Sequence, residues 1–367
     1  MKSLVLNLGS TSTKVAIYEY EDVKCTQVFR HSTKDLSCFT KLSDQLEFRR
    51  ELVARFLKEQ GYTPRDLDCV ISRGGTPPNV RSGATLVNEQ LKDALLNHPL
   101  DQNPASLGPV IAYGIAQEGD IPAYIYDPVT ANELNPLARM FGVKGIEHDS
   151  MGHVLNTRAV GISVAEELGK RFDELNLIIV HLGGGNSTML WEHGKLTDTI
   201  PTDFGSFSSE RCGNIRSARV LDLCREYGTD MVKSWFNGKG GMVSLLGTND
   251  LREVEQMIAD GDKFALRCEQ ALAYQLCKLI SSLLPVVNGK IDGIVMTGGG
   301  AYWERLMQDI QKRLDYLNVP FYIRPGENEM KALSEGAVRL MEGKEKAHIY
   351  GECSANDIQQ EDYYGAS

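Results

Sequence analysis

The residues with most chemical content lie in two short turns rich in glycine and hydroxyl groups. Leu6-Asn7-Leu8-Gly9-Ser10-Thr11-Ser12-Thr13-Lys14 follows one apolar run and leads into another, Val15-Ala16-Ile17-Tyr18. Far downstream, His181-Leu182-Gly183-Gly184-Gly185-Asn186-Ser187-Thr188 lies between Leu177-Ile178-Ile179-Val180 and Met189-Leu190-Trp191. Each reads as strand, tight turn, strand, which is a hairpin signal. The tips carry backbone N–H groups and hydroxyls with little bulk, so each can approach a phosphate closely. Two further glycine turns, at 238–241 and at Gly298-Gly299-Gly300, add to these. None fits G-x-x-x-x-G-K-[ST]. None fits G-x-G-x-x-G, because position 188 is Thr and position 303 is Trp. A tight hairpin alone would use the same glycines. Four such turns, two in a repeated pattern, point instead to phosphate binding by two similar lobes holding one nucleotide.

Charged residues near these turns supply candidate chemistry. Arg73 and Arg211 fall in glycine-flanked loops, and a guanidinium fork suits a carboxylate or a phosphoryl group in transfer. Asp127 ends an apolar strand; a site role and a turn role before Pro128 both fit. His181 ends a buried strand beside three glycines, and His153 follows Gly152 near the middle of the chain. Glu327 and Glu329 precede the last helix, where an acid serves either the helix dipole or a Mg²⁺ ion. Asp250 and Arg252 open another helix and are also compatible with simple capping.

The elements that must position these groups alternate between strands and helices, which indicates an α/β architecture. After the hairpin at 4–18, the spacing predicts a helix at 42–60, a strand at 68–72, a loop at 73–83, a helix at 107–118 and a strand at 122–126. A helix at 159–172 precedes the second hairpin at 177–190. A polar loop at 197–216 follows, then helices at 251–259 and 263–284, strands at 292–296 and 319–323, and a helix at 330–341. The acidic, apolar-poor stretch 351–367 reads as a disordered tail.

At 367 residues the chain is longer than one core usually fills, so two domains are expected. Its composition, 42% hydrophobic and 24% charged, is that of a globular protein. A net charge of −10 argues against nucleic acid or an acidic membrane as partner. The eight cysteines show no zinc spacing and read as reduced thiols in a cytoplasmic protein. No secretory leader opens the chain, and no apolar run approaches the ~20 residues that span a bilayer.

With these residues in view, the chain resembles the acetate kinase family, and within it the butyrate or branched-chain carboxylic acid kinase branch. The resemblance runs from residue 1 to about 350. It rests on the two turns, on Tyr126-Asp127-Pro128-Val129, on Ser209-Glu210-Arg211-Cys212-Gly213, on Leu246-Gly247-Thr248-Asn249-Asp250-Leu251-Arg252, and on Thr297-Gly298-Gly299-Gly300-Ala301-Tyr302. It implies a two-lobed, duplicated ribonuclease H-like fold of the actin, sugar kinase and heat-shock ATPase superfamily. The implied lobes are 1–155 with 331–350, and 156–330, the last helix crossing back to the first lobe.

The implied reaction is reversible phosphorylation of a short-chain carboxylic acid by Mg·ATP. The resemblance places Arg73 and Arg211 on the carboxylate and the phosphoryl group, with Asp127 and His153 beside them. It places Asn7 and Glu329 at the Mg²⁺, with Glu327 as the alternative acid. Ser10, Ser12, Lys14, His181, Gly183, Gly184 and Gly185 fall to the phosphates, and Asp250, Arg252, Gly298, Gly299 and Gly300 to the adenosine. A homodimer or larger homo-oligomer is also implied.

Three positions depart from the acetate kinases. Gln102 replaces a histidine before Asn103-Pro104-Ala105, Gly75 replaces a valine, and Gly152 replaces an aromatic residue. Small residues there leave room for a longer or branched acyl chain, at ~0.8 kcal/mol per buried CH₂. The alternatives are an acetate, propionate or sugar kinase, or a nucleotide-binding regulatory protein of the actin-like superfamily.

Overall fold

The computed structural model describes residues 1–352, so all but the first two residues of the expected tail at 351–367 lie outside the described residues. The strands are β1 (Lys2–Gly9), β2 (Ser12–Glu19), β3 (Asp22–Arg30), β4 (Cys69–Arg73), β5 (Ala84–Leu86), β6 (Ala123–Tyr126), β7 (Asn176–Leu182), β8 (Asn186–Glu192), β9 (Lys195–Ile200), β10 (Gly293–Gly298), β11 (Phe321–Pro325) and β12 (His348–Ile349). The chain divides into two compact units. One comprises Met1–Leu155 with the described part of Asn328–Ser367, the other Asn156–Glu327.

The first unit carries a sheet in the order β12-β5-β6-β4-β1-β2-β3, and the second a sheet in the order β11-β10-β7-β8-β9. The duplication read from the turns extends to the whole pairing scheme. β1, β2 and β3 form an antiparallel meander, with β4 and then β6 added in parallel beyond β1. β7, β8 and β9 repeat that meander, with β10 and then β11 in parallel beyond β7. Even the irregularity recurs, at Ile17/Tyr18 in one unit and Leu190/Trp191 in the other. Strands β1 and β7 are central and buried along their length, which is why their sequences are continuous apolar runs and not alternating ones.

Each unit has its own core. In the first, Leu4, Leu6, Val15, Ile17 and Val70 meet Val53 and Phe56 of the helix Gln45–Glu59 and Ile111 of the helix Leu107–Gly119. In the second, Ile178, Val180, Ile294 and Met296 meet the helix Lys263–Leu283. By length and apolarity alone the segment Lys263–Val287 qualifies as a membrane span, contrary to the sequence reading. In this fold Cys268, Leu272, Leu276 and Ile280 of that helix are buried in the core of the second unit.

The last helix, Glu329–Met341, belongs to the first unit and packs against β1 and β4. Asn328 caps it, its side chain accepting from the Lys331 N–H at 3.2 Å. Its buried face is made of Ala332, Leu333, Ser334, Gly336, Ala337 and Val338. Gly336 allows close approach to Tyr126 of β6, which is fully buried. The Tyr126 hydroxyl donates to Glu345 at 2.6 Å and accepts from Arg339 at 2.9 Å.

The structure corrects several sequence expectations. The helix expected at 159–172 runs instead from Val154 to Glu167. Its first turn contains Asn156 and Thr157, poor helix formers that tertiary contacts hold in place. The segment 197–216 is not all loop, because β9 occupies Lys195–Ile200. Arg73 is the last residue of β4 and not part of the loop. Strands β3, β5 and β12 and the helices Glu89–Asn97, Ser217–Tyr227, Thr229–Phe236 and Glu304–Leu314 were not anticipated.

The seat of the last helix is tested at Gly336. A Cβ there would lie 2.7 Å from the Tyr126 ring, a buried aromatic with no room to shift. Gly336→Ala is expected to lower stability by about 1–3 kcal/mol, the usual cost of overpacking a core, read as a drop in thermal midpoint.

Candidate active site

In the first unit the chemistry collects at the carboxyl ends of the parallel strands β1, β4 and β6, where open α/β sheets present ligand sites. Asn7 lies near the end of β1, Arg73 ends β4, and Asp127 follows β6. Glu329, in the first turn of the last helix, joins two of them. Its carboxylate accepts from Asn7 Nδ2 at 2.7 Å and pairs with Arg73 Nη1 at 3.1 Å. Asn7 is 3% exposed, whereas the Arg73 side chain keeps 28% of its surface open. Lys14 is the cross-strand partner of Asn7, so the two share a face of the sheet.

Asp127 is buried and adopts φ 43°, a left-handed conformation uncommon outside glycine. Its Oδ1 accepts from the Gly83 N–H at 2.6 Å, and its own N–H donates to the Gly83 carbonyl at 3.0 Å. Asp127 therefore pins the far end of the loop that begins after Arg73. His153 is half-buried just before the helix Val154–Glu167. The preceding Gly152 N–H donates to Val129 at 3.1 Å, which brings that segment beside the Asp127 turn.

In the second unit His181 occupies on β7 the place that Asn7 holds on β1, two residues before the turn glycine. It is 1% exposed. Its Nδ1 lies 3.0 Å from Asn156 Nδ2 and its Nε2 3.5 Å from a Glu327 oxygen. Glu327 and Glu329, two residues apart, thus serve different units: one meets His181, the other Asn7 and Arg73. The turn Gly183, Gly184, Gly185 is clamped from the segment that carries Arg211. Ser209 Oγ donates to the Gly183 carbonyl at 3.0 Å, Ser208 Oγ donates to the Gly184 carbonyl, and the Glu210 N–H adds a bond to the same oxygen at 3.3 Å. Arg211 Nη1 lies 3.5 Å from Asp203.

The glycines at 238–241 support this clamp through backbone hydrogen bonds. Gly238 and Gly240 both donate to the Glu210 carbonyl, at 3.1 and 3.0 Å. Gly298 ends β10, and Gly299 and Gly300 open a 3-10 turn beside the Gly183 hairpin. Asp250 caps the helix Leu251–Ala259 through the Arg252 N–H at 3.0 Å and pairs with the Arg252 guanidinium at 2.6 Å. That guanidinium holds the Asp250 carboxyl down at about 2.

Sequence reasoning missed several residues of this machinery. Asn186 accepts from the Gly183 N–H at 3.3 Å and donates to Ser206 and Phe207. Arg49, fully buried, donates to the carbonyls of Ser10 and Ser12. Arg49 was visible as a charge on the apolar stripe of its helix, between Leu46 and Val53.

Comparison with known proteins places this geometry in context. The profile of the Acetokinase family matches residues 123–336, more than half of the chain. The chain is similar to Porphyromonas gingivalis acetate kinase at 19% identity, over 93% of this chain and 99% of that one, with a TM-score of 0.76. It is similar to Entamoeba histolytica acetate kinase at 20% identity, over 92% and 98%, with a TM-score of 0.75. A propionate kinase from Francisella tularensis subsp. tularensis SCHU S4 matches at 20% identity, over 91% and 98%, with a TM-score of 0.72. At such identities the likeness is one of fold, and it bears out the duplicated two-lobed α/β architecture expected from the sequence.

Gly75 yields a test. Its φ is +66°, and a Cβ there would lie 2.6 Å from Ser106 Cα and 2.8 Å from its backbone nitrogen. The backbone itself demands glycine, independently of any ligand. Gly75→Ala is therefore expected to cost about 3 kcal/mol of stability, from left-handed strain plus overlap, measured by denaturant unfolding. Unchanged stability with an altered affinity for small acids would instead make Gly75 a wall of the acyl pocket.

Proposed function

The chain belongs to the acetokinase family, phosphotransferases with a carboxyl group as acceptor, and on that premise we propose that it converts ATP and a four-carbon acid, butyrate or isobutyrate, reversibly to ADP and the acyl phosphate. The observation that carries the reading is the arginine at the end of β4. Arg73 is partly open, and Glu329, itself tied to Asn7, fixes it from behind. A guanidinium held in that way offers its remaining donors to a carboxylate.

A carboxylate is already ionised near neutral pH, so the reaction needs no general base. One oxygen of the acid attacks the γ-phosphorus in line, the bond to the β–γ bridging oxygen breaks, and ADP leaves with that electron pair. Catalysis is then positioning plus charge stabilisation. Arg73 anchors the acid. Arg211 and His153 stabilise the equatorial oxygens of the transferring group, and Asp127 fixes the loop beyond Arg73. Ser10, Ser12, Lys14, Gly183, Gly184 and Gly185 receive phosphates, with His181 shaping the second turn. Asp250, Arg252, Gly298, Gly299 and Gly300 receive the adenosine.

Mg²⁺, when bound with the nucleotide, would supply neutralisation of the phosphate charge. Among the described residues no group of three His, Cys, Asp or Glu side chains is arranged to hold a metal. Asn7 and Glu329 are the groups we assign to its surroundings. Both Glu329 oxygens already engage protein donors, which suits contact through water.

The four-carbon preference rests on the missing side chain at Gly152. One observation favours acetate or propionate instead: Ser106, and not open space, occupies the position a Gly75 side chain would take. Hydroxamate trapping of acyl phosphate from Mg·ATP, run with acetate, propionate, butyrate, isobutyrate and valerate, separates the two. A higher kcat/KM for the four-carbon acids is expected; the highest value with acetate or propionate would establish the second reading. No trapped product from any acid would overturn both. Arg211→Ala should lower kcat by ~10²–10³-fold with the fold intact by circular dichroism, as loss of a preorganised donor does.

A further inference from the structure

Beneath the first turn lies a buried cation that no step of the proposed reaction uses. Arg49, on the helix Gln45–Glu59, is 0% exposed. Its Nε donates to Gln45 Oε1 at 3.1 Å. Nη1 donates to the Ser12 carbonyl at 3.0 Å and to Thr13 Oγ1 at 3.1 Å. Nη2 donates to the Ser10 carbonyl at 3.3 Å and to Gln45 Oε1 at 3.0 Å. All five donors of the guanidinium are thus engaged, and none of these acceptors is a carboxylate. Burial pulls its pKa down to about 10, still far enough above neutral to keep the charge.

Among the described residues Arg49 has no carboxylate partner; a buried arginine so placed is costly, and a hairpin could be closed without one. Its effect on the turn shows what it contributes. With the Ser10 carbonyl turned inward to Arg49, planarity of the trans peptide turns the Thr11 N–H outward. The Thr11 carbonyl is also held, by the His31 N–H at 2.8 Å. His31 in turn shares a contact of 2.9 Å with Thr13 Oγ1, the same hydroxyl that Arg49 meets. The second unit repeats the device with neutral donors, where Ser208, Ser209 and Glu210 hold the carbonyls of Gly183 and Gly184. Carbonyls removed from the outer face of a turn leave that face to N–H groups, the arrangement that receives an anion.

We infer that Arg49 is a positioning residue for nucleotide phosphate: it holds the carbonyls of Ser10 and Ser12 inward and sets an uncompensated positive charge behind the outward face of the turn. The inference rests on the proposed role of Ser10, Ser12 and Lys14 as phosphate ligands. It assigns Arg49 to the nucleotide and not to the acid, which meets Arg73 at the end of β4.

The test uses the full-length chain. Arg49→Lys keeps the charge and loses the fork. It is expected to raise KM for Mg·ATP, and Kd for Mg·ADP by calorimetry, about tenfold, as losing a charged hydrogen bond does, while KM for the carboxylic acid stays within about twofold. Unchanged nucleotide affinity in the folded variant overturns the inference. So does a joint loss of acid and nucleotide affinity in proportion to a lowered thermal midpoint, which marks a purely structural residue. If Arg49→Lys does not fold, Gln45→Ala is read in its place. Removing that acceptor loosens the guanidinium, and nucleotide affinity alone should fall about threefold; no change overturns the inference. Ser12→Ala separates the two levels. Unchanged Mg·ADP binding there removes the first turn from the nucleotide site and the inference with it. Weakened binding there beside an unaffected Arg49→Lys overturns the inference alone.

Discussion

The first unit depends on one carboxylate. Glu329 reaches the ends of two parallel strands, meeting Asn7 of β1 and Arg73 of β4 from the first turn of the last helix. The residues it joins are far apart in sequence, so the contact exists only once the final helix has docked. That docking is a packing problem solved by the buried small residues of that helix, Gly336 lying directly against the buried ring of Tyr126, with Arg339 and Glu345 bonded to its hydroxyl. A helix near the end of the chain therefore sets the orientation of an arginine near its beginning. The link from sequence to function passes through the small residues of that helix.

Duplication explains much of the remaining arrangement. Both units present a hairpin turn at the carboxyl edge of a parallel pair, and both hold a polar residue two positions before the turn glycine, Asn7 in one and His181 in the other. Each of these two meets an acid from the short segment where the chain passes between units, Glu329 for Asn7 and Glu327 for His181. The turns also share a device, their carbonyls being held by internal donors. An unmade hydrogen bond at a buried carbonyl is expensive, so these bonds fix the direction of the peptide planes without any ligand.

How much was legible in the sequence follows from which signals are local. The two hairpins were readable because both flanks are apolar and both tips are rich in glycine or hydroxyls. The central strands were readable because continuous burial leaves a continuous apolar run. β3 was not, since its face alternates with solvent and its sequence, Asp22-Val23-Lys24-Cys25-Thr26-Gln27-Val28, carries few apolar residues. The start of the helix Val154–Glu167 was hidden because Asn156 and Thr157 weaken local propensity, and their contacts to His181, Met189 and Trp191 belong to tertiary structure. At the site, residue types were legible and their partnerships were not. Glu327 and Glu329 look alike in sequence, and only the fold separates the one beside His181 from the one that holds Arg73. Gly75 read as an absent side chain in an acyl pocket, whereas its left-handed backbone against Ser106 makes glycine a local requirement.

The account turns on Glu329 orienting Arg73 for a carboxylate, and a double-mutant cycle measures that coupling directly. Arg73→Ala, Glu329→Ala and the double variant are compared by kcat/KM for the carboxylic acid at saturating Mg·ATP, each checked for folding by thermal unfolding. The account predicts non-additivity: the double variant should lose less than the sum of the two single losses, by a coupling of about 1–3 kcal/mol, over and above whatever Glu329 contributes beside Mg·ATP. Two losses that simply add would mean that Glu329 acts on the reaction independently of Arg73, and would contradict the account.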